Sequence, residues 1–253
     1  MSEAREFDGR IAWVSGAASG IGLATARLLA RGGARLALVD INGEGVERVA
    51  GELRAGGAEA RAWQADLTDA ASVERTVDAV AAAFGGLHLA VNNAGVSGAR
   101  VPLAQQPMDD WHRVIDTNLH AVFYAMKFQI PHLLQAQGGG ALVNLASVLA
   151  QVASAQSPAY TAAKHAVVGM TRSAAIAYAP QGLRINAVGP GYIDTPLLQV
   201  LTPGEREAIT AAHPAARLGQ AEEIAQAIAF LLSPRASFSF GAVLMADGGF
   251  TIR

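Results

Sequence analysis

Cysteine is absent from the 253-residue sequence, which excludes disulfide bonds, thiolate nucleophiles and metal centres with cysteine ligands. No run approaches the roughly 18 consecutive apolar residues of a transmembrane helix, so no membrane association is expected. Charged residues of both signs are sparse, at 16% of the sequence. The 19 basic and 21 acidic side chains give a formal net charge of -2, and there is no long basic run. A nucleic-acid or anionic-membrane surface is therefore not expected.

A cytoplasmic location is expected, because a cysteine-free chain fits a reducing compartment, although it is compatible with others. The apolar run after residue 10 faintly resembles a signal peptide, but Glu3, Glu6 and Asp8 precede it and glycines interrupt it. We therefore interpret that run as a first strand and turn. The six histidines show no HExxH or paired-ligand spacing, so no metal site is expected.

Hydrophobic residues make up 51% of the sequence, enough for a sizeable core, and short apolar runs alternate with helical patterns. Strands are predicted over 11–14, 35–39, 59–64, 87–91, 141–146, 184–188 and 242–246. Helices are predicted over 23–29, 43–54, 72–84, 108–134 (bent or ended near Pro131), 158–178 and 221–232. This alternation predicts an α/β protein, a doubly wound Rossmann fold with a seven-stranded parallel sheet and helices on both faces. No linker divides residues 1–253, so a single domain is predicted, with residues 189–214 as a substrate lid.

A glycine-rich turn follows the first predicted strand and opens a helix. Gly16 allows a sharp turn, Gly20 allows a phosphate to approach the backbone, and Gly22 allows tight packing of helix on strand. Ser19 caps the helix and can contact phosphate, and the free N–H groups of the first helical turn, including Ile21, favour a pyrophosphate. The spacing is GxxxGxG, and such glycines alone are equally compatible with a simple tight turn.

Asp40 ends the second predicted strand, 24 residues after Gly16. An acidic residue at this place accepts hydrogen bonds from the adenosine ribose of NAD. The alternative is an N-cap for the helix that starts at Gly43. The agreement of strand end, spacing and glycine turn favours the ribose.

A second constellation consists of Ser147 after the fifth predicted strand, followed by Tyr160 and Lys164 at the start of a helix. Tyr160 and Lys164 are four residues apart and so share one face of that helix. A tyrosine, with a pKa near 10, is a poor base at neutral pH, but a neighbouring ammonium and an oxidised nicotinamide stabilise its phenolate. We expect Lys164 to lower the pKa of Tyr160 in this way.

These motifs, taken together, resemble the short-chain dehydrogenase/reductase family over nearly the full length. The matching segments, in family order, are Ser15–Gly22, Asp66-Leu67, Asn92-Asn93-Ala94-Gly95, Asn118, Ser147, Tyr160-x-x-x-Lys164, Pro190-Gly191, Thr195 and Asp247-Gly248-Gly249. The one departure noticed is Ser15, where the family most often has threonine, and the hydroxyl is retained.

The resemblance implies roles for residues whose chemistry alone does not assign them. Asp66 and Leu67 are expected to bind adenine, and Asn118 to hold a water that links Lys164 to solvent. Lys164 is also expected to bind the nicotinamide ribose. The remaining cofactor contacts are expected from Asn93, Ala94, Gly95, Tyr160, Pro190, Gly191, Ile193 and Thr195. The resemblance further implies a homotetramer, with helices 108–134 and 158–178 pairing across one two-fold axis and residues 242–253 across another.

The sequence therefore predicts an NAD(H)-dependent oxidoreductase that interconverts a secondary alcohol and a ketone, with Asn118, Ser147, Tyr160 and Lys164 as its catalytic residues. The alternatives are an NADPH-dependent 3-oxoacyl-thioester reductase, which favours a basic residue near Ala18 or after Asp40, and a cofactor-sensing binding protein without turnover. The expected partner is a small, neutral, partly hydrophobic alcohol. Candidate pocket residues are Val96, Ser97, Leu149, Gln151, Tyr192, Leu197, Leu198 and Leu201, with Arg100 as the one cation nearby.

Overall fold

A computed structural model describes residues 5–199 and 201–252. Within these residues the chain forms seven strands, β1 (Ile11–Ser15), β2 (Arg35–Asp40), β3 (Ala60–Gln64), β4 (Leu89–Asn92), β5 (Ala141–Leu145), β6 (Arg184–Pro190) and β7 (Val243–Ala246). Its α-helices are α1 (Gly20–Arg31), α2 (Gly43–Ala55), α3 (Ala70–Phe84), α4 (Met108–Ile115), α5 (Ala121–Leu134), α6 (Pro158–Tyr178), α7 (Pro203–Ala211) and α8 (Ala221–Leu232).

The strands form one parallel sheet in the order β3-β2-β1-β4-β5-β6-β7. Strands β1, β4 and β5 are buried on both faces, which explains why their sequences are continuous apolar runs rather than alternating ones. The strand order reverses between β1 and β4, and ligands of open α/β sheets bind at the carboxyl ends of the strands at this point. The predicted fold class is confirmed.

Two hydrophobic clusters hold the helices against the two faces of the sheet. One face packs against α1, α2 and α8 through residues such as Leu29, Val49 and Ile228. The other packs against α3, α5 and α6 through residues such as Val77 and Val167. Among the described residues, no helix is both long and apolar enough to cross a bilayer.

Apart from element ends that differ by one to three residues, the structure differs from the predicted elements in two places. The predicted helix over 108–134 continues through Pro131, which lies in its last turn, and is interrupted instead by a π-helical turn over Asp116–His120. The predicted lid over 189–214 contains α7, which the sequence analysis did not predict. Helix α7 starts with a capping box in which Thr202 and Glu205 each accept a hydrogen bond from the other's backbone N–H.

Candidate active site

A cleft of about 560 Å³ lies at the carboxyl ends of the strands, on both sides of the switch between β1 and β4. Nearly all predicted site residues line it: Gly16, Ser19, Gly20, Ile21, Asp40, Asp66, Leu67, Asn93, Ala94, Gly95, Ser147, Tyr160, Lys164, Pro190, Gly191, Ile193 and Thr195. Two predicted residues, Gly22 and Asn118, do not line it. The fold thus brings together residues that are up to 179 positions apart in the sequence.

The turn between β1 and α1 has the geometry that its glycines predict. Gly16 has a φ of +64°, and a Cβ on Gly22 would lie 2.1 Å from the Gly16 carbonyl oxygen, so helix and turn are in direct backbone contact. Ser19 is the N-cap of α1 but makes no capping hydrogen bond through its side chain. The Ser19 hydroxyl and the first N–H groups of α1 are therefore available to a ligand, and this donor set fits a pyrophosphate.

Ser15 and Asn93 join the ends of β1 and β4 beneath this turn. The buried Ser15 hydroxyl accepts hydrogen bonds from the backbone N–H groups of Asn93 (3.0 Å) and Ala94 (3.2 Å). The Asn93 amide in turn donates to the carbonyl oxygens of Ser15 (2.9 Å) and Gly16 (3.3 Å). The Ser15 hydroxyl and the Asn93 amide thus fix the ends of the two strands to each other.

Asp40 faces the glycine turn rather than capping α2. Its carboxylate accepts hydrogen bonds from the backbone N–H groups of Ala18 and Asn42, both at 3.0 Å. The N-cap of α2 is Asn42, whose side chain accepts from the Gly45 N–H. The capping alternative for Asp40 is therefore wrong, and its half-buried carboxylate lies in the wall of the cleft.

Ser147, Tyr160 and Lys164 meet in the cleft between β5 and α6. The buried Lys164 ammonium donates to the Leu145 carbonyl oxygen at 2.7 Å and lies 5.5 Å from the centroid of the Tyr160 ring. Burial raises the pKa of Tyr160 to about 12, while a hydrogen bond with Ser147 lowers it and Tyr192 adds a smaller rise. Burial also lowers the pKa of Lys164 to about 8. In the ligand-free protein, burial therefore outweighs the expected lowering of the Tyr160 pKa.

Asn118 lies in the π-helical turn and is fully buried. Its side chain accepts from the Val96 N–H (3.2 Å) and donates to the carbonyl oxygens of Val96 (3.0 Å) and Val114 (2.9 Å). Asn118 thus fixes the backbone of the loop after β4. A Cβ on Gly95 would lie 2.7 Å from the Asn118 side-chain oxygen, so this contact also requires a glycine.

The wider part of the cleft has mainly apolar walls. Seven of the eight candidate pocket residues line it, namely Val96, Ser97, Leu149, Tyr192, Leu197, Leu198 and Leu201. The prediction for Gln151 is wrong, because its side chain is exposed outside the cleft. The sequence analysis missed Ser154, Ser157 and Ile209, which also line the cleft. The two serines precede α6, and their position after β5 at the carboxyl end of the sheet was the available signal.

His213 holds Tyr192 in this wall. The buried imidazole accepts from the Tyr192 N–H through Nε2 (3.1 Å) and donates to the Ile209 carbonyl oxygen through Nδ1 (2.7 Å). Its ring also contacts those of Tyr192 and Phe250, at centroid distances of 5.8 and 5.3 Å. His213 thus links the segment after β6, helix α7 and the C-terminal turn over Phe250–Ile252. The described residues contain no cluster of three potential metal ligands.

Comparison with known proteins places this site in a family. The family model described as enoyl-(acyl carrier protein) reductase matches residues 16–251. The chain is 47% identical to cis-4-hydroxycyclohexanecarboxylate dehydrogenase of Sinomonas cyclohexanicum, over 99% of both chains. It is 44% identical to cyclohexanol dehydrogenase of Acinetobacter sp. (strain SE19), over 97% of this chain and 96% of that protein. The chain belongs to the short-chain dehydrogenase/reductase family.

A solved structure agrees in fold as well as in sequence. The crystal structure of 3-ketoacyl-(acyl-carrier-protein) reductase from Brucella melitensis, complexed with NADH, superposes with a TM-score of 0.91 at 34% identity, over 97% of this chain and 99% of that one. The chain is accordingly an oxidoreductase that interconverts secondary alcohols and ketones with a nicotinamide cofactor, as its sequence predicted.

Proposed function

We propose that the protein is an NAD(H)-dependent dehydrogenase of small cyclic secondary alcohols. The observation that carries the proposal is the meeting of Ser147, Tyr160 and Lys164 in a largely apolar cleft that also contains Asp40. Two relatives at 44% and 47% identity are named for dehydrogenation of a hydroxyl group on a cyclohexane ring. A rigid six-membered ring suits the apolar walls of Val96, Leu149 and Leu198.

The cofactor half of the proposal depends on charge. Asp40 offers carboxylate oxygens to the two hydroxyls of an adenosine ribose, and it repels the 2′-phosphate of NADP, which carries about two negative charges. Among the described residues that line the cleft, the two basic side chains are Arg100 and Lys164. Neither is part of the β2 end where Asp40 lies, so no cation there compensates for a 2′-phosphate. The proposed binding site for the dinucleotide is completed by the N-terminus of α1 and by Asp66 and Leu67.

In this proposal Tyr160 exchanges the proton of the substrate oxygen. With its pKa raised to about 12 by burial, Tyr160 is a protonated donor at neutral pH and can protonate the oxygen formed from a ketone. In the direction of oxidation, Tyr160 first loses its own proton to solvent, and the phenolate, which the Lys164 ammonium stabilises, then takes the hydroxyl proton of the substrate. When bound here, the nicotinamide cofactor would supply the hydride or its acceptor and, in its oxidised form, one positive charge. Ser147 orients the substrate oxygen.

Two further features belong to the proposal. The described residues of the predicted lid, 189–199 and 201–214 with α7, form the lid over the substrate, and ion pairs join α7 to Asp194 and Arg100. The assembly is a homotetramer built on exposed apolar side chains of the described surface. Phe123 on α5 is 45% exposed, Ile176 on α6 is 79% exposed and Ile252 in the C-terminal turn is 86% exposed, and these lie in the segments predicted to pair.

The test is a steady-state panel of cyclohexanol, substituted cyclohexanols, linear secondary alcohols and a 3-oxoacyl thioester, each with NAD(H) and NADP(H). We expect cyclic alcohols to give the highest kcat/KM, with NAD preferred by about 100-fold or more. The double variant Asp40→Ala, Ile41→Arg should narrow or invert that preference without changing the order of the alcohols.

Two results would contradict the proposal. Efficient reduction of the thioester with NADPH would favour the 3-oxoacyl reductase alternative. Tight NADH binding without turnover of any carbonyl or alcohol in the panel would favour the cofactor-sensing alternative.

A further inference from the structure

Arg100 places a positive charge in the substrate part of the cleft. It belongs to the loop after β4 and lines the cleft together with Tyr192 and Leu201. Its side chain is 41% exposed where the mainly apolar cleft opens to solvent, so an anion that enters the cleft can reach the guanidinium.

The hydrogen bonding of Arg100 is incomplete. Its Nη1 donates to the Glu205 carboxylate, whereas within residues 5–199 and 201–252 its Nε and Nη2 make no hydrogen bond. A guanidinium carries five N–H donors in a fixed planar arrangement, and two of them can bind one carboxylate together. Arg100 therefore retains the donors needed for a second anion.

Glu205 orients Arg100 without using up those donors. One Glu205 carboxylate oxygen is held by the backbone N–H (2.8 Å) and the hydroxyl (2.9 Å) of Thr202 in the capping box of α7. The other oxygen carries the contact to Arg100. Because Glu205 is fixed to the start of α7, the guanidinium is positioned by the same helix that borders the cleft.

Arg100 is also electrostatically connected to the catalytic end of the cleft. Burial raises the pKa of Tyr192, and the positive charge of Arg100 partly offsets that rise. Tyr192 in turn contributes to the raised pKa of Tyr160. Arg100, Tyr192 and Tyr160 all line the same cleft, which therefore contains both a cation and the proton donor.

We propose that Arg100 binds a carboxylate on the substrate, so that the preferred substrate is an alicyclic hydroxy acid rather than a neutral cyclic alcohol. The hydroxyl group of such a molecule lies at Ser147 and Tyr160, its ring contacts the apolar walls, and its carboxylate pairs with Arg100. This inference rests on the proposed function for the identity of the catalytic end. It replaces the expectation of a neutral substrate with that of a substrate that carries one negative charge. One guanidinium pairs with one carboxylate, so a polyanionic substrate is still not expected.

The first experiment measures binding and needs no turnover. Cyclohexanecarboxylate and cyclohexanecarboxamide are titrated calorimetrically into the wild-type protein, with and without saturating NADH, and into three variants. Arg100→Gln removes the proposed receptor. Glu205→Gln removes the partner charge but keeps the capping box. Arg235→Gln is the matched control, because Arg235 forms an exposed ion pair with Glu6 at 2.9 Å and neither residue lines the cleft.

We expect Arg100→Gln to weaken carboxylate binding by about 10-fold or more, and carboxamide binding by less than about threefold. Glu205→Gln removes a competing anion but also loosens the orientation of the guanidinium, so it should change carboxylate binding by less than Arg100→Gln does, and Arg235→Gln should leave it unchanged. The proposal would be overturned if Arg100→Gln and Glu205→Gln weakened binding to the same extent and did so equally for the carboxylate and the carboxamide. That result would mean that the ion pair only holds α7 in place. Undiminished carboxylate binding to Arg100→Gln would overturn it as well.

The second experiment compares kcat/KM for 4-hydroxycyclohexanecarboxylate and 4-methylcyclohexanol. The proposal requires the ratio to favour the acid in the wild-type protein and to fall by about 10-fold or more in Arg100→Gln. A ratio that Arg100→Gln leaves unchanged would overturn it. If carboxylate binding depends on Arg100 but no cyclic alcohol is oxidised, the carboxylate site stands and the proposed function fails.

Discussion

Replacing Lys164 with methionine is expected to stabilise the ligand-free protein while removing its activity. Lys164 is 3% exposed, and its one hydrogen bond in the described residues goes to the Leu145 carbonyl oxygen. Burial lowers its pKa from 10.5 to about 8. At about 1.4 kcal/mol per pKa unit, that difference means that the buried charge costs about 3 kcal/mol at pH 7. Loss of the hydrogen bond to Leu145 offsets about 1 kcal/mol, which leaves a net gain of about 2 kcal/mol.

The free-energy cost of burying the Lys164 charge depends on pH, so the effect of the substitution does as well. Below about pH 8 the lysine is protonated in both the folded and the unfolded chain, so the full cost of burying the charge is present. Between about pH 8 and 10.5 the unfolded state binds more protons than the folded state, and the stability of the wild-type protein rises with pH. The advantage of Lys164→Met should therefore shrink across this window and disappear near its upper end.

The assay is urea unfolding of the ligand-free proteins at equal concentration, at pH 7, 8.5 and 10. Lys127→Met is the matched control, because Lys127 is the other lysine of the sequence and is exposed on α5. With two lysines in the chain, ¹³C labelling of the lysine side chains also allows the Lys164 titration to be followed directly by NMR. A Lys164→Met protein that is less stable at pH 7, or whose advantage is independent of pH, would refute the reasoning.

Two further predictions concern chemistry and assembly. Tyr160→Phe keeps the ring but removes the proton donor, so turnover should fall by roughly two to four orders of magnitude while NADH affinity, measured by fluorescence, changes little; near-wild-type turnover would remove Tyr160 from its proposed role. Light scattering at micromolar concentration should report four copies of the chain, and Ile176→Asp on α6 should reduce that number, because it places charges in an apolar interface; a wild-type monomer would contradict the assembly.

The sheet and the position of the site could be predicted because each depends on strong local signals. Buried parallel strands require continuous apolar sequences, and a strand followed by a glycine turn and a helix marks the switch between β1 and β4. The contacts of Asp40 required the structure, since an acidic residue at a strand end can equally cap the next helix, and it is Asn42 that takes this task.

Other features could not be predicted, for different physical reasons. The raised pKa of Tyr160 depends on how deeply the fold buries its ring, which a four-residue spacing from Lys164 does not reveal. Of the partners of His213, Ile209 lies four residues before it, but Tyr192 follows β6 and Phe250 lies near the end of the chain, so the sequence around His213 does not reveal these two contacts. Helix α7 was predictable in principle, because Thr202 and Glu205 have the spacing of a capping box, but the proline and glycine between them favoured a loop.

The π-helical turn over Asp116–His120 makes the helical segment α4–α5 depend on its number of residues as well as on their identity. Each residue of an α-helix turns the chain by about 100°, and a π-turn accommodates an additional residue without breaking the helix. Removing one residue from this turn would allow a regular helix but rotate α5 against α4. Asn118 could then not reach Val96 while Val122 and Met126 kept their places in the core. The extra residue therefore allows Asn118 to face the loop of the active site while the side chains of α5 that follow it face the core.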